Sequence, residues 1–200
     1  MRRVGVLGGT FDPVHHGHLV AASEVTYRLA LDEVLLVPAG HQWQKTRPDI
    51  SPAEDRYAMT VIATEHDPRL AASRVDLERA GPTYTVDTLT DLRAALGADV
   101  DLFFITGTDA LAGLHTWHRA AEIPALAHLV GVTRPGHDLQ PTEALGLPPG
   151  SVTYVEIPAL DVSSTDIRAR VSAGAPIRYL VPDGVAQYVE DHGLYGGASR

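Results

Sequence analysis

Residues 5–24 read GVLGGTFDPVHHGHLVAASE, which places two glycines, a threonine, an aspartate, a proline and three histidines at one strand-to-helix junction. Gly8 and Gly9 let backbone approach a ligand with no side chain in the way, and their N–H groups can point at an anion. Thr10 and Phe11 lie inside the same turn, and Asp12 and Pro13 redirect the chain. His15 and His18 then stand three apart at the start of a helix, so they share a face. Gly17 between them keeps that face low enough for a planar group or a phosphate to rest against it. The chemistry that fits is phosphate binding. Two histidines at this spacing also suit zinc, but no further ligands are evident. A tight turn followed by surface histidines suits His16 alone, since turn chemistry does not need so many special residues at once. Neither a G-x-G-x-x-G fingerprint nor a G-x-x-x-x-G-K-[ST] loop is present.

A second candidate lies far downstream in SSTDIR, which holds Ser163, Ser164, Thr165 and Arg168. Taken alone it is an ordinary helix start.

Short apolar runs recur along the chain and predict strands: RRVGVLG, EVLLVPA, SRVDL, VDLFFITG, HLVGVTRPG and VTYVEIPAL. Between most of them lie segments of helical period. Leu19, Ala22, Val25 and Leu29 form one stripe. SPAEDRYAMTVIATEH opens with a capping box, Ser51 as cap and Glu54 three residues on, and TYTVDTLTDLRAALG stops on Gly97. Alternating strand and helix predict an α/β fold, a parallel sheet with helices on both faces. In such sheets ligands sit beyond the carboxyl ends of the strands, where RRVGVLGG delivers the first junction. After IPALDVSSTDIRARVSAG no convincing strand follows, so the end of the chain reads as a small C-terminal helical cap. The expectation is one domain over 1–200, with about 1–160 as core and about 161–200 as the SSTDIR helix and the helical part behind it. The expected loops are AGHQWQKTRPDI and RPGHDLQPTEALGLPPGS.

The bulk numbers exclude several classes. The chain has 200 residues, is 44% hydrophobic and 20% charged, and carries a net charge of -9 without a basic run. That is the wrong sign for a general nucleic-acid binder. No apolar run is long enough to span a bilayer and the N-terminus lacks a signal-peptide core. Cysteine is absent, so thiolate sites and disulfides are excluded, which fits a cytoplasmic protein. A homo-oligomeric state is left open.

The junction GGTFDPVHHGHL resembles the signature of the HxGH nucleotidyltransferases, with His15, Gly17 and His18 as the motif, and SSTDIR resembles that superfamily's S-x-T-x-[IL]-R phosphate clamp. ERAGPTYTVDTL, FFITGTDALAGLHTWHRAAEI, VGVTRPG and YLVPDGVAQYVEDHGLY are similar to segments of bacterial nicotinate mononucleotide adenylyltransferases, so the resemblance runs almost end to end. It implies a Rossmann-like open sheet and adenylyl transfer from ATP, with magnesium riding on the triphosphate and no protein-built metal site. Attack by the acceptor phosphate on the α-phosphorus needs no general base, because a phosphate monoester's second pKa is about 6.

By resemblance, His15, His18 and Arg168 are catalytic. Gly8, Gly9, Thr10, Phe11, Gly17, Gly107, Asp109, Ser163, Ser164 and Thr165 join them around ATP. Lys45, Tyr84, Thr85, Trp117 and Arg134 serve the acceptor, Trp117 by stacking and Arg134 with reach to the adenosine side or a phosphate. Each has a duller reading: Trp117 as packing, Thr85 or Asp109 as a helix cap. The loop PAGHQWQKTRP departs from the family's P-H-K ending, since Gln44 precedes Lys45 and His41 lies earlier; Lys45 still has the reach for the acceptor phosphate, and Trp43 is expected to close over the site. Arg56 reads as a weaker acceptor candidate or a solvated helix-face charge. Rival activities are nicotinamide mononucleotide or phosphopantetheine adenylylation, an inactive nucleotide-binding regulatory module, or a zinc protein.

Overall fold

Val4 and Val6 alternate with Gly5 and Leu7 in a run buried on both sides, the pattern of a parallel sheet between two helical layers. The computed structural model describes residues 1–40, 50–133, 142–145 and 147–196. Its six strands are β1 Arg2–Gly9, β2 Glu33–Pro38, β3 Leu70–Ala72, β4 Val100–Gly107, β5 His128–Thr133 and β6 Val152–Glu156. All pairs are parallel, in the order β3-β2-β1-β4-β5-β6. The helices are α1 His16–Arg28, α2 Ala53–Thr64, α3 Val75–Glu78, α4 Thr85–Leu96, α5 Thr108–Ala112, α6 Ile123–Leu126, α7 Ser164–Ser172 and α8 Asp183–Asp191.

Strand periodicity sorts the core into two layers. Leu36, Phe103 and Ile105 pack on one face with Ala22 and Val25 of α1, Met59 of α2, Ile167 of α7 and Val185 and Val189 of α8. Val4, Val6, Leu102 and Phe104 pack on the other with Leu89 of α4, Leu111 of α5 and Ile123 of α6. The predicted Rossmann-like sheet is present, and α7 and α8 cap one face of it. Among the described residues no strand follows β6, and a single bridge joins Arg178 and Val181. No described helix is long and apolar enough to cross a membrane.

Two local expectations fail. SRVDL is not a strand: β3 comes just before it, and Val75–Glu78 coil into α3. The apparent alternation is overridden because Asp76 turns inward and takes hydrogen bonds from Thr88 Oγ1 and from Arg79 three residues on, both at 2.6 Å. Ser51 does not cap α2 either; Pro52 occupies the cap position. The backbone of Ser51 is used instead, its N–H reaching Asp12 Oδ2 at 3.4 Å and its carbonyl accepting Arg56 Nε at 3.0 Å. Gly97 does end α4, with φ +89.

The strand order reverses around β1, whose neighbours are β2 and β4. Chain connections leave in opposite directions there, so a crevice opens beyond the carboxyl ends of β1 and β4.

Candidate active site

β1 ends at Gly9, and the chain turns sharply through Thr10–Val14 before α1 begins. Phe11 adopts φ +50, the left-handed region, and is only 1% exposed. Its ring lies across Gly9, where a Cβ would come within 2.9 Å of it, and meets the ring of His18 edge-on at 4.9 Å. The rings of His15 and His18 stack at 3.7 Å. The His15 N–H donates to His18 Nδ1 at 3.2 Å, closing the first turn of α1. Burial, and then the neighbouring His15, hold His18 well below the usual histidine range, so its ring is neutral at pH 7. With Nδ1 accepting, the ring proton resides on Nε2. His18 is therefore a neutral donor.

The start of α7 is stitched to this turn. Ser164 Oγ donates to the Pro13 carbonyl at 2.9 Å, and Arg168 Nη1 donates to the Asp12 carbonyl at 2.7 Å. Ser163 caps α7, accepting the Asp166 N–H at 3.1 Å. The result is a cleft of about 650 Å³. One wall is Gly8, His15, Gly17 and His18; another is Gly107 and Asp109 at the end of β4; a third is Ser163, Ser164 and Thr165. A nine-residue helix thus presents its N-terminus, with free N–H groups and positive partial charge, to the same space as the histidines.

A second cavity of about 260 Å³ lies beside it, lined by Gly9, Thr10, Thr85, Thr88, Asp76 and Trp117, among others. Gly8 and Thr106 line both cavities, so the two chambers meet at the ends of β1 and β4. Trp117 stands edge-on to Phe104 at 5.8 Å, and the N-terminus of α4 opens at Thr85. On the floor, burial pushes the Asp76 carboxyl up from the usual carboxylate range, against the hydrogen bonds from Thr88 and Arg79.

Some expected residues stand elsewhere. Gly9 and Thr10 line the second chamber and not the first. Phe11 is packed behind His18. Tyr84 turns away to stack on His118 at 4.2 Å and occupies the cap position of α4, so Thr85 is not the cap. Gly107, not Asp109, holds the cap position of α5. Arg168 does not line the cleft; its guanidinium lies behind Thr165, with Nη2 donating to Thr165 Oγ1 at 3.3 Å. Lys45 and Arg134, with His41, Trp43 and Gln44, lie outside the described residues.

The supporting roles of three residues, Arg56, Asp12 and Tyr195, were not read from the sequence. Arg56 is no solvated charge: it is 2% exposed and donates to the carbonyls of Thr10 at 2.9 Å, Gly40 at 3.2 Å and Ser51. Its spacing with Met59, Thr60 and Thr64 places it on the buried stripe of α2, a signal that was readable. Asp12 is wholly buried, and Tyr195 donates to its Oδ1 at 2.8 Å. No local pattern announces a partner so far along the chain.

Residues 6–170 match a family model described as cytidylyltransferase-like. A probable nicotinate-nucleotide adenylyltransferase of Acidothermus cellulolyticus is 61% identical, covering 96% of this chain and 94% of its own. One of Streptomyces coelicolor is also 61% identical, covering 96% of this chain and all of its own (100%). Among solved structures, Plasmodium falciparum nicotinic acid mononucleotide adenylyltransferase complexed with NaAD superposes with a TM-score of 0.79 at 17% identity, covering 99% of each chain, which shows a shared fold. With such identity along nearly its whole length, the chain belongs to the nicotinate-nucleotide adenylyltransferases of the cytidylyltransferase-like family.

Proposed function

We propose that this protein transfers the AMP moiety of ATP to nicotinate mononucleotide, forming nicotinic acid adenine dinucleotide and releasing pyrophosphate. The observation that carries this reading is the pair of chambers joined at Gly8 and Thr106, one with an anion-binding wall and one with an aromatic wall. An acceptor phosphate at the junction meets the α-phosphorus of a triphosphate in the larger cleft. A phosphate oxygen bonds to that phosphorus, and the bond from it to the bridging oxygen of pyrophosphate breaks. Since the acceptor is already largely ionised above a pKa of about 6, the chain supplies alignment and charge stabilisation and no base.

His18 donates from Nε2 to the phosphate on which charge develops, without a proton to lose at neutral pH. His15, stacked on it, fixes its plane. Thr165 and the free N–H groups at the start of α7 hold the outer phosphates, Ser163 and Ser164 fix that turn through Asp166 and the Pro13 carbonyl, and Arg168 acts on them from behind Thr165. Asp109 and Gly107 face the nucleotide. In the smaller chamber Trp117 stacks on the pyridine ring, and the N-terminus of α4 at Thr85 receives its carboxylate, which favours nicotinate over nicotinamide.

The donor set suits magnesium carried in by the triphosphate. Asp109 is the carboxylate of the larger cleft, and no cluster of three or more potential ligands stands together among the described residues. Bound there, the ion neutralises phosphate charge.

The test is pyrophosphate release from ATP with nicotinate mononucleotide, nicotinamide mononucleotide and phosphopantetheine in turn. Release is expected fastest with the first. Absence of release with all three overturns the reading; faster release with the second overturns the acceptor assignment.

A further inference from the structure

Asp12 feels the charge of Arg56 and stands at the outer limit of an ion pair with Arg168, without a direct side-chain hydrogen bond to either. Its Oδ1 accepts the Tyr195 hydroxyl at 2.8 Å, and its Oδ2 accepts the Ser51 N–H at 3.4 Å. Oδ2 stops 4.0 Å from Arg168 Nη1. That same Nη1 donates to the Asp12 backbone carbonyl at 2.7 Å, while Nη2 goes to Thr165 Oγ1. Arg56 directs its donors to three other carbonyls. The Asp12 side chain is 1% exposed and that of Arg168 12%, so little water competes for either charge. A carboxylate and a guanidinium so placed would normally close into a bidentate pair. Something holds them apart.

We propose that Tyr195 is a positioning residue for the clamp arginine: by occupying Asp12 Oδ1 it keeps the carboxylate from capturing Arg168, and the guanidinium keeps its charge for the triphosphate. This rests on the reading that ATP binds beside α7. Tyr195 lies in the turn Leu194–Gly196 behind α8, in the left-handed region at φ +65. Non-glycine residues adopt that conformation uncommonly, so the backbone is shaped to deliver this hydroxyl. Burial and the Asp12 charge push the phenol's pKa up, which leaves it a donor throughout the working range of pH. The end of the chain thereby acts on a site built from its beginning.

The experiment is a double-mutant cycle read by pyrophosphate release. Tyr195→Phe is expected to raise the KM for ATP roughly tenfold, the scale of one charge-assisted hydrogen bond, with the acceptor KM unchanged. In an Arg168→Gln background the same substitution should change nothing. Asp12→Asn combined with Tyr195→Phe should restore the ATP KM, because a carboxamide carries no charge to draw Arg168 away. Unaltered ATP kinetics in Tyr195→Phe overturn the inference. So does an equal loss in the Arg168→Gln background, which would mark Tyr195 as a generic brace. Should Tyr195→Phe fail to fold, the Asp12→Asn/Tyr195→Phe protein carries the test, and a weakened ATP KM in it, or its own failure to fold, overturns the inference. A wild-type protein inert toward every acceptor overturns the proposed function instead, so the two failures are distinguishable.

Discussion

Ser164 Oγ lies 2.9 Å from the carbonyl oxygen of Pro13, although 151 residues separate them. That hydrogen bond, with the one from Arg168 to the neighbouring Asp12 carbonyl, brings the histidine turn and the α7 N-terminus to opposite walls of one cleft. Their joining makes the site.

His18→Ala should lower kcat on the order of a hundredfold, the scale of one preorganised donor to developing charge. Substrate KM values should move far less. Steady-state kinetics check this, and a kcat near wild type would remove His18 from the chemistry.

His18 also predicts a pH effect on stability. Its folded pKa is depressed below the ordinary 6.5, so below that pH the unfolded chain binds a proton that the folded chain resists. Stability from this group is therefore complete above pH 6.5 and is lost as pH falls, by up to about 1.4 kcal/mol per unit, until the folded pKa is reached. Urea unfolding at pH 7.5 and 5.5 should show a smaller loss in His18→Asn than in wild type.

Trp117→Ala should raise the acceptor KM roughly tenfold by removing the stacking face, and leave the ATP KM unchanged. The tryptophan lines only the smaller chamber. An unchanged acceptor KM would reassign Trp117 to packing against Phe104.

Arg56→Met should destabilise the fold by about 3–5 kcal/mol, since it strips donors from three carbonyls and leaves buried Asp12 with one cation fewer. Arg56→Lys should recover little, because an ammonium cannot span Thr10, Gly40 and Ser51 as the guanidinium fork does. Denaturant midpoints measure both.

What the sequence made readable was whatever is local. Val4, Val6, Phe103 and Ile105 alternate across strands that had to be buried on both faces, and His15 and His18 share a helix face by spacing alone. The misreadings came from tertiary partners. Val75–Glu78 alternates like a strand, but Asp76 needs Thr88 and Arg79, and their hydrogen bonds demand a helical turn. Ser51 has the chemistry of a cap, yet Asp12 and Arg56 take its backbone. Tyr195 could not be foreseen, because its partner is 183 residues away.

Among the described residues, a glycine and a threonine are what the two chambers share where they touch. A synthetic compound with a pyridine head and a phosphate-mimicking tail, linked by a spacer short enough to cross that threshold, would place its second group at millimolar local concentration once the first had docked. Two weak fragments would then act as one tight inhibitor.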